Sequence, residues 1–193
     1  MKTSKEYRLQ ASEALKGKYG LAIGTIIVYD LLTAILGFTV VGAIVLSGAL
    51  LVGLSICQLN LLRNGDWKLG DLFTRMNSGN FSGTIGLYVR TAIRTFLWAL
   101  LGIIPGIIAS LRYAMAPYIM ADNPEMTGKD AIEASKEMMK GKKGKLFCLQ
   151  LSYIGWILLC CLTCGILFLW VQPRMQVAVA AFYEDAKNAP KEA

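Results

Sequence analysis

Long apolar stretches, separated by short polar segments, make up most of the chain, and residues 21–62 are the longest of them. This stretch contains a single charged residue, Asp30. A membrane-crossing helix needs roughly 20 apolar residues, each adding about 1.5 Å of length. The stretch therefore predicts two spans, at about 21–40 and 43–62, that fold back on each other through a tight turn near 37–42.

The region 83–121 allows two interpretations. It contains three arginines and has Pro105-Gly106 near its middle. One interpretation is a single span, about 95–111, kinked at Pro105. The other is a hairpin of two spans, about 84–104 and 106–121, with Pro-Gly as the turn. The hairpin is favoured because it returns the lysine-rich loop 122–145 to the side of the N-terminus, in agreement with the positive-inside tendency.

Two more spans are predicted in the last third of the chain, at 146–163 and at 166–182, the latter interrupted at Gln172-Pro173-Arg174. Sixteen of the 20 lysines and arginines fall in the N-terminus, the connector 63–82, the loop 122–145 and the tail. This asymmetry predicts an all-α bundle of six transmembrane helices, arranged as three hairpins, in a membrane with both termini cytoplasmic.

Each hairpin is preceded by a segment with the pattern of a short amphipathic helix. In residues 1–20, Thr3 and Glu6 have the spacing of a capping box, and Tyr7, Ala11 and Leu15 share one helical face. Another such helix is predicted to begin after Thr127. Helices of this kind are expected to lie along the membrane surface.

The spacing of glycines predicts an internal repeat within this single membrane domain, residues 1–193. Gly17, Gly79 and Gly141 end the three surface segments at intervals of 62 residues, which gives units 1–62, 63–124 and 125–186 and a mobile tail 187–193. At the same interval Arg112 meets Arg174. The polar ends of the second span of each unit also coincide, at Asn60, Asp122 and Glu184. Either three hairpins pack around a pseudo-threefold axis, as parallel repeats do in some transporters, or similar hairpins match by coincidence.

Composition narrows the class of protein further. Hydrophobic residues make up 55% of the chain and charged residues 17%, against about 25% in soluble domains. The net charge of +7 is attributed to cytoplasmic loops, so no nucleic-acid partner is predicted. There is no histidine and no enzyme motif, so no catalytic residue, metal or cofactor is predicted. The five cysteines lie in apolar segments and are interpreted as structural, with a disulfide or metal at Cys161-x-x-Cys164 as the alternative.

Charged residues inside the predicted spans are the candidate functional residues. Helical rise places Asp30, Arg94, Arg112 and Arg174 at similar depths, about 13–16 Å from the cytoplasmic ends of their spans, with Arg90 one turn below Arg94. These five residues are called the arginine layer. One interpretation is a positive site for an anionic headgroup, carboxylate or phosphate, with Asp30 as counter-ion. The other is structural, with arginines that snorkel to the interface or pair internally.

Several segments resemble a known family. They are RYAMAPYIMADNP at 112–124, AIEASKEMMKG at 131–141, SYIGW at 152–156 and AFYE at 181–184, together with Ile104-Pro105-Gly106. Together they resemble the DUF975 family of bacterial membrane proteins. The Pro-Gly and EA-S segments are more distantly similar to membrane domains attached to some glycerophosphodiester phosphodiesterases. The resemblance implies a multi-span bacterial membrane protein and supplies neither an activity nor catalytic residues.

Two classes of function fit these observations. The first is a non-enzymatic membrane protein that binds membrane lipids, anionic ones among them, or a partner, which includes a second copy of the chain. The second is a small permease for an anionic solute, with the arginine layer as its site. The direction in which Arg112 and Arg174 point is expected to separate the two.

Overall fold

A computed structural model of the chain describes residues 2–36, 40–74, 81–100, 103–156 and 167–188. Regular structure in these ranges is helical, without a strand, which confirms the all-α prediction. The α-helices are α1 (Ser4–Ala14), α2 (Tyr19–Leu36), α3 (Val40–Asn64), α4 (Phe81–Leu100), α5 (Ile103–Tyr113), α6 (Ala116–Asp122), α7 (Gly128–Met138), α8 (Lys143–Leu151) and α9 (Phe168–Asn188). A 3₁₀ helix, Leu69–Phe73, lies between α3 and α4.

Within these ranges, none of the helices has both the length and the apolarity needed to cross a bilayer. The six-span arrangement therefore stays a prediction. Several predicted features lie outside the described residues: the centre of the first turn at 37–39, the ending at Gly79, and the pair Cys161 and Cys164.

Of the three predicted amphipathic helices, the first and the third form as α1 and α7, and the second, in the connector 63–82, is the 3₁₀ helix. The backbone N–H of Thr3 donates to Glu6 at 2.7 Å, and the hydroxyl of Thr127 accepts from the backbone N–H of Asp130 at 3.3 Å. Each hydrogen bond satisfies a backbone or side-chain group at a helix start. Gly17 and Gly141, which follow the two helices, have φ of 78° and 71°, a left-handed conformation that glycine adopts without steric cost.

The middle of the chain folds back as α4 and α5, which pack against each other, so the hairpin describes it better than a single span does. The position of the turn differs from the prediction. Pro105 and Gly106 lie inside the first turn of α5, where the missing N–H of proline leaves no hydrogen bond broken. The predicted interruption at Gln172-Pro173-Arg174 is also wrong, because α9 continues through Pro173.

The short helices pack against the hairpins in a regular order. The 3₁₀ helix packs on α2 and α3, α7 packs on α4, α5 and α6, and α1 packs on α8 and α9. Two glycines permit the closest approaches: a Cβ at Gly53 would lie 2.1 Å from the carbonyl oxygen of Leu72, and one at Gly128 would lie 2.4 Å from the backbone nitrogen of Leu87. Each short helix thus covers the hairpin of the preceding unit, and α1 covers the hairpin of the last unit.

The helix boundaries share one spacing. α2 and α8 begin at Tyr19 and Lys143, which are two intervals of 62 residues apart. α1 and α7 begin at Ser4 and Gly128, which are also two such intervals apart. Both spacings are twice the period predicted from the glycines; the functional equivalence of the units stays a prediction.

The apolar face of α1 is buried against the protein rather than lying free on its surface. Tyr7, Ala11 and Leu15 are all buried, and the ring of Tyr7 packs on that of Phe182 in α9, with centroids 5.6 Å apart. The hydroxyl of Tyr7 also donates to Asp185 at 3.0 Å. α1 is therefore fixed to α9, and its opposite, polar face is left for other contacts.

Large apolar side chains are exposed along α4. Phe96 is 68% and Leu100 78% exposed, and Ile93 and Leu97 lie on the same face of the helix and are also exposed. Ile107 and Ile108 of the adjacent α5 extend it. Exposed apolar surfaces of this kind mark contacts with lipid or with another protein.

Candidate functional site

A cleft of about 550 Å³ opens between α1, the end of α8 and the beginning of α9. It is called the Arg8–Arg174 cleft. Its polar lining comes from cations and hydroxyls, and its apolar lining from Leu9, Trp156 and Val171. The polar lining residues are Ser4, Lys5, Arg8, Ser12, Ser152, Tyr153 and Arg174.

Arg8 is held in place by the loop that follows α8. Its Nη1 donates to the hydroxyl of Ser152 at 2.8 Å, and its guanidinium carbon lies 5.4 Å from the centre of the Tyr153 ring. Stacking on an aromatic ring orients a guanidinium without using its hydrogen-bond donors. The remaining N–H groups of Arg8 are therefore available to a ligand in the cleft.

Arg174 is held in the same manner from the other side. Its Nε donates to the hydroxyl of Tyr19 at 2.7 Å, and its guanidinium carbon lies 5.3 Å from the centre of that ring. The hydroxyl of Tyr153, whose ring contacts Arg8, donates to the backbone carbonyl of Arg174 at 3.4 Å. Tyr153 thus links the two arginines, and both are positioned before any ligand binds.

The electrostatic feature that distinguishes the cleft is its unbalanced positive charge. Lys5, Arg8 and Arg174 line it, and no acidic residue does. None of the three takes part in an ion pair within the described ranges. Two arginines and a lysine next to hydroxyls are suited to binding phosphate or carboxylate oxygens.

The five residues of the predicted arginine layer do not meet in one site. Arg174 lines the cleft, whereas Arg112 lines a separate cavity with Pro105, Ile108 and Ala109. Arg90 is exposed on α4. Asp30 is exposed and interacts with the side chain of Gln172, and no ion pair among the described residues joins it to an arginine. The proposed role of Asp30 as counter-ion has no contact to support it.

Arg94 is the member of the arginine layer that has a buried nitrogen without a hydrogen-bond partner. Its Nη1 is buried without a hydrogen-bond partner, and so is the hydroxyl of Thr91, three residues earlier on α4. Buried donors are normally paired, so this segment of α4 is unusual.

A second group of charges lies where α3, α6 and α9 end, and it is fully paired. Arg63 binds Asp122 with both terminal nitrogens, at 2.7 and 2.9 Å, and its Nε donates to Glu184 at 2.6 Å. Lys187 and the hydroxyl of Tyr183 also donate to Asp122, at 2.7 and 2.9 Å. These five residues are called the Asp122 cluster. They tie together the C-terminal ends of three helices.

The hydrogen bonds of this cluster change the acidity of its members. Burial alone would raise the pKa of Asp122, but the hydrogen bonds from Arg63, Lys187 and Tyr183 more than offset it and lower the pKa to about 2. The same contact with Asp122 raises the pKa of Arg63. Burial and the hydrogen bond to Asp122 raise the pKa of Tyr183. Asp122 therefore stays ionised at any physiological pH.

Sequence reasoning missed Lys5 and Arg8 as residues of a cationic cleft and missed Arg63 as the centre of an ion-pair group. Arg8 gave no local signal, because its role depends on α1 packing against α8 and α9. The Asp122 cluster had one signal: Asp122 and Glu184 are one period apart in the predicted repeat, and the structure places both on Arg63.

The part of the chain that the structure describes contains no group of metal-ligating side chains. Of the two cysteines described, Cys57 is buried and Cys148 exposed, both as free thiols. The absence of a bound metal stays a prediction from the sequence.

Comparison with known proteins gives one match. Neither the curated proteins nor the solved structures yielded a match. Nothing in the comparisons supports the more distant similarity to glycerophosphodiester phosphodiesterases. Residues 103–189 match the model of the family described as "Protein of unknown function (DUF975)". The matched range includes α5 to α9 and every residue of the Asp122 cluster except Arg63, but none of the α1 residues that line the Arg8–Arg174 cleft.

Proposed function

We propose that the protein is a non-enzymatic membrane protein that binds the headgroup of an anionic phospholipid in the Arg8–Arg174 cleft. The observation that carries the proposal is the combination of three unpaired cations with an apolar wall and no acid. A site for a free anion needs only the positive side chains. An apolar wall next to them suits an amphiphile, whose phosphate and acyl chains bind side by side.

In this proposal the phosphate oxygens accept hydrogen bonds from Arg8 and Arg174, and Lys5 adds a mobile charge at the opening. Both arginines are oriented by tyrosine rings, so little side-chain entropy is lost on binding. Leu9 is 55% exposed and Trp156 38% exposed, so both can contact the glycerol backbone and the start of the acyl chains.

The proposed setting is a bacterial membrane, with three hairpins as six spans and both termini cytoplasmic. The long apolar stretches of the sequence and the exposed apolar surface of α4 and α5 support it. The common spacing of helix starts supports three related units. The order in which each short helix covers the preceding hairpin is what a closed pseudo-threefold ring requires.

Binding can be tested by tryptophan fluorescence in neutral detergent micelles, because Trp156 lines the cleft. Phosphatidylglycerol with brominated acyl chains is expected to quench the wild type at low mole fraction, and brominated phosphatidylcholine only at roughly tenfold higher mole fraction. Arg8→Gln is expected to weaken the phosphatidylglycerol response at least tenfold. Trp156→Phe identifies the quenched residue by removing it.

The matched control is Lys145→Gln, which removes an exposed cation of α8 outside the cleft and is expected to leave the response unchanged. Equal quenching by the two lipids would contradict the proposal. So would an Arg8→Gln response that equals that of the Lys145→Gln variant.

A second candidate function, a permease for an anionic solute, is favoured by Arg94 and Thr91 alone. Their unpartnered polar atoms inside α4 leave donors for a transient anionic ligand. Uptake of a labelled organic anion into proteoliposomes, lost on Arg94→Gln and retained in Arg90→Gln, would support transport. No uptake above that of empty liposomes would exclude it for the anion tested.

A further inference from the structure

A second, smaller cavity of about 200 Å³ lies on α5, lined by Pro105, Ile108, Ala109 and Arg112. Arg112 supplies its positive charge, and the other three side chains are apolar. Ile108 is exposed and continues into the apolar surface formed with α4. The cavity therefore repeats, at smaller scale, the combination of a cation and an apolar wall found in the Arg8–Arg174 cleft.

Among the described residues, the guanidinium of Arg112 has no partner. No ion pair or hydrogen bond of this side chain occurs within the described ranges, and no acid lines the cavity. The backbone at this position is fixed, because the buried hydroxyl of Ser135 in α7 donates to the carbonyl oxygen of Arg112 at 2.7 Å. A fixed backbone and an unpaired guanidinium place a positive charge at a defined point beside an apolar surface.

The position of Arg112 in the fold matches that of Arg174. The two are 62 residues apart, half the distance between the starts of α2 and α8. Each arginine lies on a hairpin covered by the short helix of the following unit: α7 covers the hairpin of Arg112, and α1 covers that of Arg174. In the first unit the equivalent residue is Leu50, which is fully buried. The arrangement thus offers two cationic positions and not three.

We propose that the Arg112 cavity is a second anionic-lipid subsite, which binds one phosphate headgroup while an acyl chain lies along α5. The proposal rests on the lipid-binding function proposed above and extends it from one site to two. A single arginine and the smaller volume fit one singly charged phosphodiester, whereas the Arg8–Arg174 cleft has three cations.

Native mass spectrometry of the detergent-solubilised full chain, titrated with phosphatidylglycerol, measures the number of bound lipids. The wild type is expected to retain two. Arg112→Gln and Ile108→Glu are each expected to retain one; the glutamate, one helical turn before Arg112, pairs with its guanidinium without removing it. Arg90→Gln, which removes an exposed arginine of α4 outside both cavities, is expected to retain two. Glycerophosphoglycerol, the same headgroup without acyl chains, is expected not to be retained.

The outcomes separate the two proposals. In one outcome the wild type retains one lipid per chain, Arg8→Gln loses it, and Arg112→Gln and Ile108→Glu retain it. This outcome overturns the second subsite and supports binding in the Arg8–Arg174 cleft. Retention of glycerophosphoglycerol at the Arg112 cavity overturns its assignment to a lipid and indicates a site for free phosphate esters. A wild type that retains no lipid overturns both proposals.

Discussion

The Asp122 cluster and the Arg8–Arg174 cleft both collect positive side chains at α9, but they use them in opposite ways. In the cluster, Arg63 and Lys187 meet two carboxylates, and Asp122 accepts hydrogen bonds from three different residues. In the cleft, Arg8 and Arg174 meet hydroxyls and aromatic rings, and neither they nor Lys5 pairs with a carboxylate among the described residues. The first group neutralises its own charge; the second does not.

This difference separates a structural role of charged residues from a binding role. Removing one partner from a closed ion-pair group leaves the other charges unpaired, so the substitution lowers the free energy of unfolding. Neutralising an arginine that contacts only rings and hydroxyls changes the stability little, so the main effect is a weaker affinity for an anion. The experiments below test whether the two groups differ in this way.

The largest expected effect is that of Asp122→Asn on stability. The variant keeps the shape of the side chain but removes the charge that Arg63 and Lys187 face, and we expect it to lower the free energy of unfolding by about 2–3 kcal/mol. Denaturant unfolding in detergent micelles measures the change. Asp66→Asn is the control, because the pair of Asp66 with Lys18 is long, at 3.9 Å, and exposed, so a loss below about 0.5 kcal/mol is expected. Equal losses in the two variants would contradict the structural role of the cluster.

Acid is expected to weaken the same cluster by a slightly smaller amount. The pKa of Asp122 is lowered in the folded protein to about 2, whereas the unfolded carboxyl titrates near its ordinary value of 3.8. The stabilisation by Asp122 is therefore complete above a pH of about 4 and is lost as the pH falls towards 2, a change of about 2 kcal/mol.

Because other carboxyls titrate in the same range, the measurement is the difference in unfolding free energy between the wild type and Asp122→Asn as a function of pH. This difference is expected to shrink between pH 4 and pH 2. A difference that stays constant over that range would show that Asp122 does not titrate with the lowered pKa.

The smallest of the three effects is expected when the cleft is made to resemble the cluster. Ser4→Glu places a carboxylate one helical turn before Arg8, in the favourable orientation and at the start of α1. We expect phosphatidylglycerol to bind about tenfold more weakly, a change of about 1.4 kcal/mol, while stability stays equal or rises by about 0.5 kcal/mol. Ser4→Gln, of the same size but without charge, is the control and is expected to bind the lipid nearly as the wild type does. A Ser4→Glu variant that is strongly destabilised would contradict the division drawn here.

Local patterns predicted the short helices well. The capping residues Thr3 and Thr127, the buried face of α1 and the glycines that follow α1 and α7 are all where the sequence indicated. The predictions at Pro105 and Pro173 were wrong, because the first proline was interpreted as a turn and the second as an interruption of the helix, and both lie inside helices. A proline is tolerated in the first turn of a helix, where Pro105 lies in α5, and the sequence alone did not show where α5 begins. Pro173 lies further inside α9, and the helix continues through it.

Amino-acid order by itself determined the all-helical class, the limits of α1 and α7, a spacing of helix starts by multiples of 62 residues, and a short list of arginines in apolar segments that includes Arg112 and Arg174. These depend on near neighbours in the chain, through capping, periodicity and composition. Only the tertiary structure decided that α1 packs on α8 and α9, that Arg8 and Arg174 line one cleft, and that Asp122 and Glu184 meet on Arg63. The reason is physical: whether a charge is neutralised or left for a ligand depends on residues that are far apart in sequence and meet only when the helices pack.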